Sequence, residues 1–381
     1  MAFYLPVQKD GKELCRPDLI RKPISMIQKR SIPSLDGLRT LSIGLVIVNH
    51  IEINIYHNSF EHMSRFENLM NGLFQVGHLG VMVFFVISGF LITSIICKDT
   101  KVDLKKFYFR RVLRIFPPYY FYLSAILILW IIGVKTSYSN NLISSACFAK
   151  NYYFDSTAPG AWNLEHTWSL SVEEQFYILF PIALYLLGNK MGKYFIIAVI
   201  LACPVFRLIK VISDPSSTLV FYRFELIADS LAVGCLLALT REKLHANKRY
   251  IKFLRSWLTL AMPVIAVLIS WLIKFPAYCP REVYSLVAIS VQNFCIVLFL
   301  DRVVTFPGSR VGNFLNSRPM VFIGVMSYSI YLWQQIFLDP NLQVSLILKI
   351  AGIIVSSLAS YYLIERSSLI LRQRLEKRFA V

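Results

Sequence analysis

The stretch Leu73-Phe-Gln-Val-Gly-His-Leu-Gly80-Val-Met-Val-Phe-Phe-Val-Ile-Ser-Gly-Phe90-Leu-Ile-Thr-Ser-Ile-Ile-Cys97 runs for 25 residues without an Asp, Glu, Lys or Arg. A helix of roughly 20 apolar residues crosses the hydrocarbon core of a bilayer, where only helices and closed barrels satisfy their own backbone. The stretch therefore reads as a membrane-spanning helix. Working outward, nine further apolar stretches recur at 36–56, 116–134, 169–187, 194–212, 224–240, 257–273, 285–301, 319–338 and 345–364. The fold expected is all-α, a polytopic transmembrane bundle of about ten helices.

Composition agrees. The 381 residues are 56% apolar and 16% charged, with a mean hydropathy of +0.55. Soluble domains run near 45–50% apolar and about 25% charged. A disordered chain is excluded and an ordinary soluble enzyme is not expected. The net charge of +18 would suit a phosphate-rich polyanion, but its distribution gives it another meaning. With a cytoplasmic N-terminus, segments assigned to the cytoplasm hold 31 of the 40 Lys and Arg, and the opposite loops hold 6. Arg207, Lys210 and Lys349 lie within or near the ends of spans, where long side chains snorkel. That asymmetry is the positive-inside pattern. It predicts both termini in the cytoplasm and removes nucleic acid as a partner.

The first 39 residues are polar and basic and lack the pattern of a cleaved signal peptide, so the first span is expected to be an uncleaved anchor. The organisation expected is a basic cytoplasmic segment over 1–34, a membrane domain over 35–366 and a cytoplasmic tail over 367–381. Seven cysteines show no metal-ligand spacing, so no metal site is expected. Cys147 and Cys279 both fall in outer segments, where a disulfide is open to them.

Ionisable groups inside a membrane are costly and point to function. In the first span Arg39 is followed eleven residues later by His50. Eleven residues at 1.5 Å each place them ~16 Å apart along nearly one helix face. Arg39 then sits at the cytoplasmic mouth and His50 near mid-membrane, where an imidazole suits proton removal from an alcohol. The basic stretch from Lys105 to Tyr120 holds Arg110, Arg111 and Arg114, with Arg110 and Arg114 one helical turn apart. Guanidinium groups clamp phosphate, although a basic cytoplasmic loop also rests on anionic lipid. The fourth span carries Glu173 and Glu174, which point about 100° apart and so cannot share one site as a glycosidase pair would. One of them is open to orienting a His or an Arg, or to a structural ion pair. Glu52, Glu225 and Asp229 stay equally open. The Gly80–Gly89 stretch is mainly a close-packing pattern.

Taken in order, Leu35-Asp-Gly-Leu-Arg39 with His50, Gly80–Gly89, Arg110-Arg-Val-Leu-Arg-Ile-Phe-Pro-Pro-Tyr119, Trp168-Ser-Leu-Ser-Val-Glu-Glu-Gln-Phe-Tyr177, Ser327–Gln334 and Tyr362-Leu-Ile-Glu365-Arg resemble the acyltransferase-3 family. These are polytopic membrane enzymes that O-acylate, usually O-acetylate, carbohydrates and some other acceptors. The resemblance implies ten core helices with both termini cytoplasmic. It also implies acetyl-CoA or another acyl-CoA as a cytosolic donor substrate, with no permanently bound cofactor, and the form without an appended extracytoplasmic domain. Arg39 and His50 match the family's Arg-x10-His motif, and Arg110, Arg111 and Arg114 match its basic donor-side motif. Met82, Gln334 and Ser367 depart from the residues that many members carry there.

The expectation is an integral membrane O-acyltransferase, placed in a bacterial plasma (inner) membrane. Its partners would be acyl-CoA, a carbohydrate or lipid-linked glycan acceptor and the bilayer. His50 and Arg39, with Glu173 or Glu174, would carry the chemistry, and Arg110, Arg111 and Arg114 would hold the coenzyme phosphates. His50 as general base and His50 as acylated nucleophile both stay open. An exporter of an acidic metabolite or glycan is the competing class, disfavoured because no paired inverted halves with broken helices are visible. Aromatic residues of the outer segment 135–168, among them Tyr138, Tyr152, Tyr153, Phe154 and Trp162, suit either sugar stacking or an interfacial belt.

Overall fold

A computed structural model describes residues 34–56, 76–97, 103–134, 139–153, 162–215, 221–272 and 280–379. Among them there is no strand. The helices are α1 (Leu35–Tyr56), α2 (Gly77–Ile96), α3 (Leu104–Ile131), α4 (Ser139–Ala146), α5 (Trp162–Glu165), α6 (Thr167–Ser213), α7 (Phe224–Ala246) and α8 (Lys248–Arg255). Then follow α9 (Trp257–Leu272), α10 (Ile289–Thr305), α11 (Arg310–Leu315), α12 (Arg318–Phe337), α13 (Leu346–Ala359) and α14 (Arg366–Phe379). π-Helical turns at Tyr284–Ala288 and Ser360–Glu365 lead into α10 and α14.

Each of the ten apolar stretches is helical over most of its described residues. Seven spans pass on length and apolarity: α2, α3, the two arms of α6 (Thr167–Gly188 and Met191–Ser213), Tyr284–Thr305, α12 and Leu346–Arg378. The arms of α6 part at Gly188, whose φ of 70° and ψ of 170° break the helix as only glycine does readily. α8 and α9 meet at 60° and count as an eighth span if taken together. α1 and α7, with 22 and 23 residues, are long enough to cross. They carry Arg39, Glu52, Glu225 and Asp229, which lowers their apolarity, and they pack against other helices rather than standing alone. The chain is a multi-pass integral membrane protein. Its two ends (1–33 and 380–381) lie outside the described residues, and with them all of the expected N-terminal segment except Ser34; Cys279, Tyr138 and Phe154 lie outside them too.

Close packing sets the centre of the bundle. A Cβ built on Gly89 would stand 1.9 Å from the Leu231 carbonyl oxygen, and one on Gly234 would stand 2.1 Å from that of Val86. The glycines therefore let α2 and α7 touch backbone to backbone. α1 lies between α2 and α12, and a Cβ on Gly324 would meet the Asp36 carbonyl at 1.8 Å.

Three expectations change. The basic stretch 104–114 is not a loop but the first turns of α3, opened by Asp103, whose carboxylate accepts the Lys106 N–H at 3.0 Å. Arg207 does not snorkel: it is fully buried, with both arms of its guanidinium on Asp229 at 2.9 Å and further bonds to the Ser285 and Leu226 carbonyls. Lys349 is also buried and donates to the Asp339 carbonyl. Finally, residues 139–153 do not stay beyond the helix ends. Tyr119 and Tyr120 donate to the Ser145 and Ala146 carbonyls, and Gln175 donates to the Phe148 carbonyl. Tyr119 lies twelve residues, or ~18 Å, below the end of α3, so this segment folds back into the bundle.

Candidate active site

α2, α3, the first arm of α6 and α12 surround a cavity of about 150 Å³ that opens to the surface. Its charged lining is Arg39 from α1, Arg111 and Arg114 from α3, and Glu173 and Glu174 from α6. Its apolar lining comes mainly from α2, including Phe84, Phe85, Leu91 and Ile92. Arg39 is held by Asp36 at 3.0 Å. Arg111 lies 3.6 Å from Glu174, and its guanidinium carbon is 3.0 Å from the centre of the Tyr177 ring. Arg114 faces the like charges of Arg39 and Arg111, with Glu365 as the opposing charge, and has no ion-pair partner among the described residues. Ser88 donates to Glu173 at 2.7 Å, and Ser329 donates to Glu365 at 2.8 Å. Three guanidinium groups around an unfilled space, one of them unpaired, make a receptor for an anion with several oxygens.

His50 does not line this cavity. It stands further along α1, where its Nδ1 lies 2.7 Å from Gln334 Oε1. An amide oxygen only accepts, so the imidazole donates from Nδ1 and its Nε2 keeps the lone pair. Gln334 is fully buried on α12, three residues before the helix end (Phe337). The next residue, Gln335, accepts the His166 backbone N–H at 3.1 Å. Between cavity and histidine, Tyr331 donates to the His166 carbonyl at 2.9 Å and meets Ser169 Oγ at 2.6 Å. Both Tyr331 and Ser169 line the cavity's wall. Charged groups thus hold one end of the site, and amides and hydroxyls the other.

Against protein-family models, the chain matches an acyltransferase domain, that of the acyltransferase-3 model, over residues 32–365. The chain belongs to the acyltransferase-3 family. Among curated relatives, OatA of Staphylococcus aureus (strain NCTC 8325), named as an O-acetyltransferase, is 29% identical over 332 residues, covering 81% of this chain and 51% of OatA. YrhL of Bacillus subtilis (strain 168), whose name assigns it provisionally to peptidoglycan O-acetylation, is 28% identical over 331 residues, covering 80% of this chain and 48% of YrhL. The chain spans about half the length of these relatives. No solved structure matches.

Of the acyltransferase-3 residues singled out in the sequence, the fold brings Arg39, Arg111, Arg114, Glu173 and Glu174 to one cavity. Glu173 and Glu174 diverge as adjacent helical residues must, one toward Ser88 and one toward Arg111, yet both reach it. His50 lies apart, and neither carboxylate orients it; Gln334 does. Arg110 turns away from the cavity and pairs with Glu376 of α14 at 2.9 Å. The i, i+4 spacing of Arg110 and Arg114 suggested a shared face, but Arg111 and Arg114 are the pair that faces inward. Sequence reasoning passed over Ser88, His166, Tyr331 and Gln335. The signal for three of them was within reach, because His166 adjoins the Trp168–Tyr177 motif and Tyr331 and Ser88 lie inside two others.

In the outer segment Tyr152 donates to Glu225 at 2.9 Å, and burial, its largest cause, pushes this phenol up to about 12. Among the described residues no group of three His, Cys, Asp or Glu is placed to hold a metal ion.

Proposed function

We propose that this acyltransferase-3 protein moves an acetyl group from cytosolic acetyl-CoA to a hydroxyl of a cell-surface glycan in a bacterial plasma membrane, with peptidoglycan as the first acceptor to test. The observation that carries this reading is the pairing of an arginine-rimmed cavity with an imidazole that Gln334 holds by its Nδ1 at the far end of the same site. The positive-inside charge pattern puts the arginines at the cytoplasmic mouth, where a coenzyme phosphate arrives. In this reading Arg39, Arg111 and Arg114 hold the phosphates and the apolar cavity wall takes the pantetheine arm. His50 then acts on the acyl carbon or on the acceptor hydroxyl. Glu173 and Glu174 balance the arginine charge when no donor is bound. The names of the two relatives support O-acetyl transfer, and one of them supports the acceptor class.

The test is release of free CoA from acetyl-CoA by membranes carrying the protein, together with mass spectrometry of surface glycans from cells with and without the gene. CoA release with new O-acetyl groups on peptidoglycan is expected. Unchanged glycans and no acetyl-CoA consumption would favour the exporter reading instead.

A further inference from the structure

α12 presents two adjacent glutamines to two histidines from different helices. Gln334 accepts from the His50 side chain on α1, and Gln335 accepts from the backbone N–H of His166, the residue that opens α6. His166 is buried, with 3% of its surface exposed. Neither ring nitrogen makes a well-formed hydrogen bond, although the Gln335 side chain and the Leu332 carbonyl stand beside the ring. The ring lies against Tyr122 and Tyr331, with centroids 5.5 and 5.2 Å away, and His50 stands nearby. A histidine kept only for packing usually has its ring nitrogens bonded to the fold, and a phenylalanine would fill an aromatic slot without that demand. His166 also connects to the cavity, because its carbonyl takes the Tyr331 hydroxyl and Tyr331 lines the wall.

We infer that His166 is a second catalytic histidine, the base that takes the proton of the acceptor hydroxyl while His50 carries the acyl group. This inference rests on the acetyl-transfer reading above. In the first step His50 Nε2 attacks the thioester carbonyl, the C–S bond breaks and CoA leaves as the thiolate. His50 is then an acyl-imidazolium, still donating from Nδ1 to Gln334. In the second step the acceptor oxygen attacks the acyl carbon, its proton passes to His166, and the C–N electron pair returns to His50. The proton on His166 is finally released to solvent, which protonates the thiolate. The net change is acyl-CoA plus alcohol to ester plus CoA.

The experiment uses the full-length protein in membranes with labelled acetyl-CoA, comparing wild type with His166→Gln and with His166→Ala supplemented with free imidazole. Rapid quench reads the single-turnover burst of CoA release and the acetyl label on the protein. Mass spectrometry of surface glycan from expressing cells reads complete transfer. His166→Gln is expected to keep the burst within about twofold while glycan O-acetylation falls by about 100-fold, the low end of what general-base catalysis supplies. Imidazole should restore steady CoA release to His166→Ala. Full glycan O-acetylation by His166→Gln would overturn the inference. So would loss of the burst together with transfer, or failure of both variants to insert, because either makes His166 a structural residue. Wild-type cells that add no O-acetyl groups would sink the acetyl-transfer reading itself, a result distinct from any of these.

Discussion

The arginine mouth and the histidine end of this bundle are both polar regions inside an apolar protein, but they are held together differently. At the mouth, Arg39 and Arg111 lean on Asp36 and Glu174, Glu173 takes a serine hydroxyl, and Arg114 has no ion-pair partner among the described residues. At the other end, His50 meets the amide of Gln334, and His166 meets an amide, a hydroxyl and aromatic rings. Ion pairs in low dielectric are stable only while both members are present, so a charged mouth suits an anionic ligand that comes and goes. An amide sets which nitrogen of a histidine carries the proton without adding a charge of its own. In the function proposed here, the mouth binds the donor and the far end carries the proton and acyl chemistry.

The sharpest break of this division comes from His50→Ala. Acyl transfer should fall by ~10²–10⁴-fold, the range supplied by a positioned acid–base group. Binding of acetyl-CoA, measured by equilibrium dialysis on membranes, should stay within about twofold because His50 does not line the cavity. Loss of binding in parallel with transfer would merge the two regions into one.

Arg111→Ala and Arg114→Ala should show the reverse signature. A charge-assisted hydrogen bond contributes about 1.5–3 kcal/mol, so each change should raise KM for acetyl-CoA by roughly 10–100-fold with a smaller effect on kcat. KM in the wild type should also rise with ionic strength, since salt screens a mouth open to solvent. A salt-independent KM would mean that the arginines do not meet the phosphates.

Much of this division is legible in the sequence. Hydrophobic stretches longer than 16 residues located the helices able to span, seven or eight of which pass on length and apolarity among the described residues. Arg39 and His50 announced themselves as ionisable groups in phase on one apolar helix. What could not be read is which helix meets which. Gln334 and Gln335 are ordinary polar residues until α12 is laid beside α1 and α6. The i, i+4 rule favoured Arg110 with Arg114, whereas the cavity lies on the Arg111 face, a choice fixed by where α14 packs. The fold-back of 139–153 also had no local signal, since its anchors are side chains of Tyr119, Tyr120 and Gln175 on other helices.

Gln334→Leu should lower kcat by about tenfold, equivalent to ~1.4 kcal/mol, near the upper end of a hydrogen bond between uncharged groups. KM for acetyl-CoA should be unchanged. Gln334→His, which keeps a hydrogen-bonding group at this position, should recover most of the loss. Equal damage from both substitutions would mean that the site needs the amide itself.

Arg110 supplies the smallest effect and a clean internal control, because it sits beside Arg111 in sequence but on the other side of α3. Its guanidinium makes two bonds to Glu376, at 2.9 and 3.3 Å, and Arg372 reaches the same carboxylate at 3.4 Å. The pair is partly exposed, with side chains 26% and 18% accessible, so it contributes at most about 1 kcal/mol to the docking of α14 on α3. Arg110→Ala should therefore change KM for acetyl-CoA by less than about twofold, where Arg111→Ala changes it by ten or more. Its effect should fall on the tail instead, as faster proteolysis within Arg366–Phe379 in inside-out vesicles, and Glu376→Ala should reproduce it. If Arg110→Ala raises KM as steeply as Arg111→Ala, then the arginine that binds donor phosphate is drawn from both faces of α3, and α14 must move aside when the coenzyme arrives.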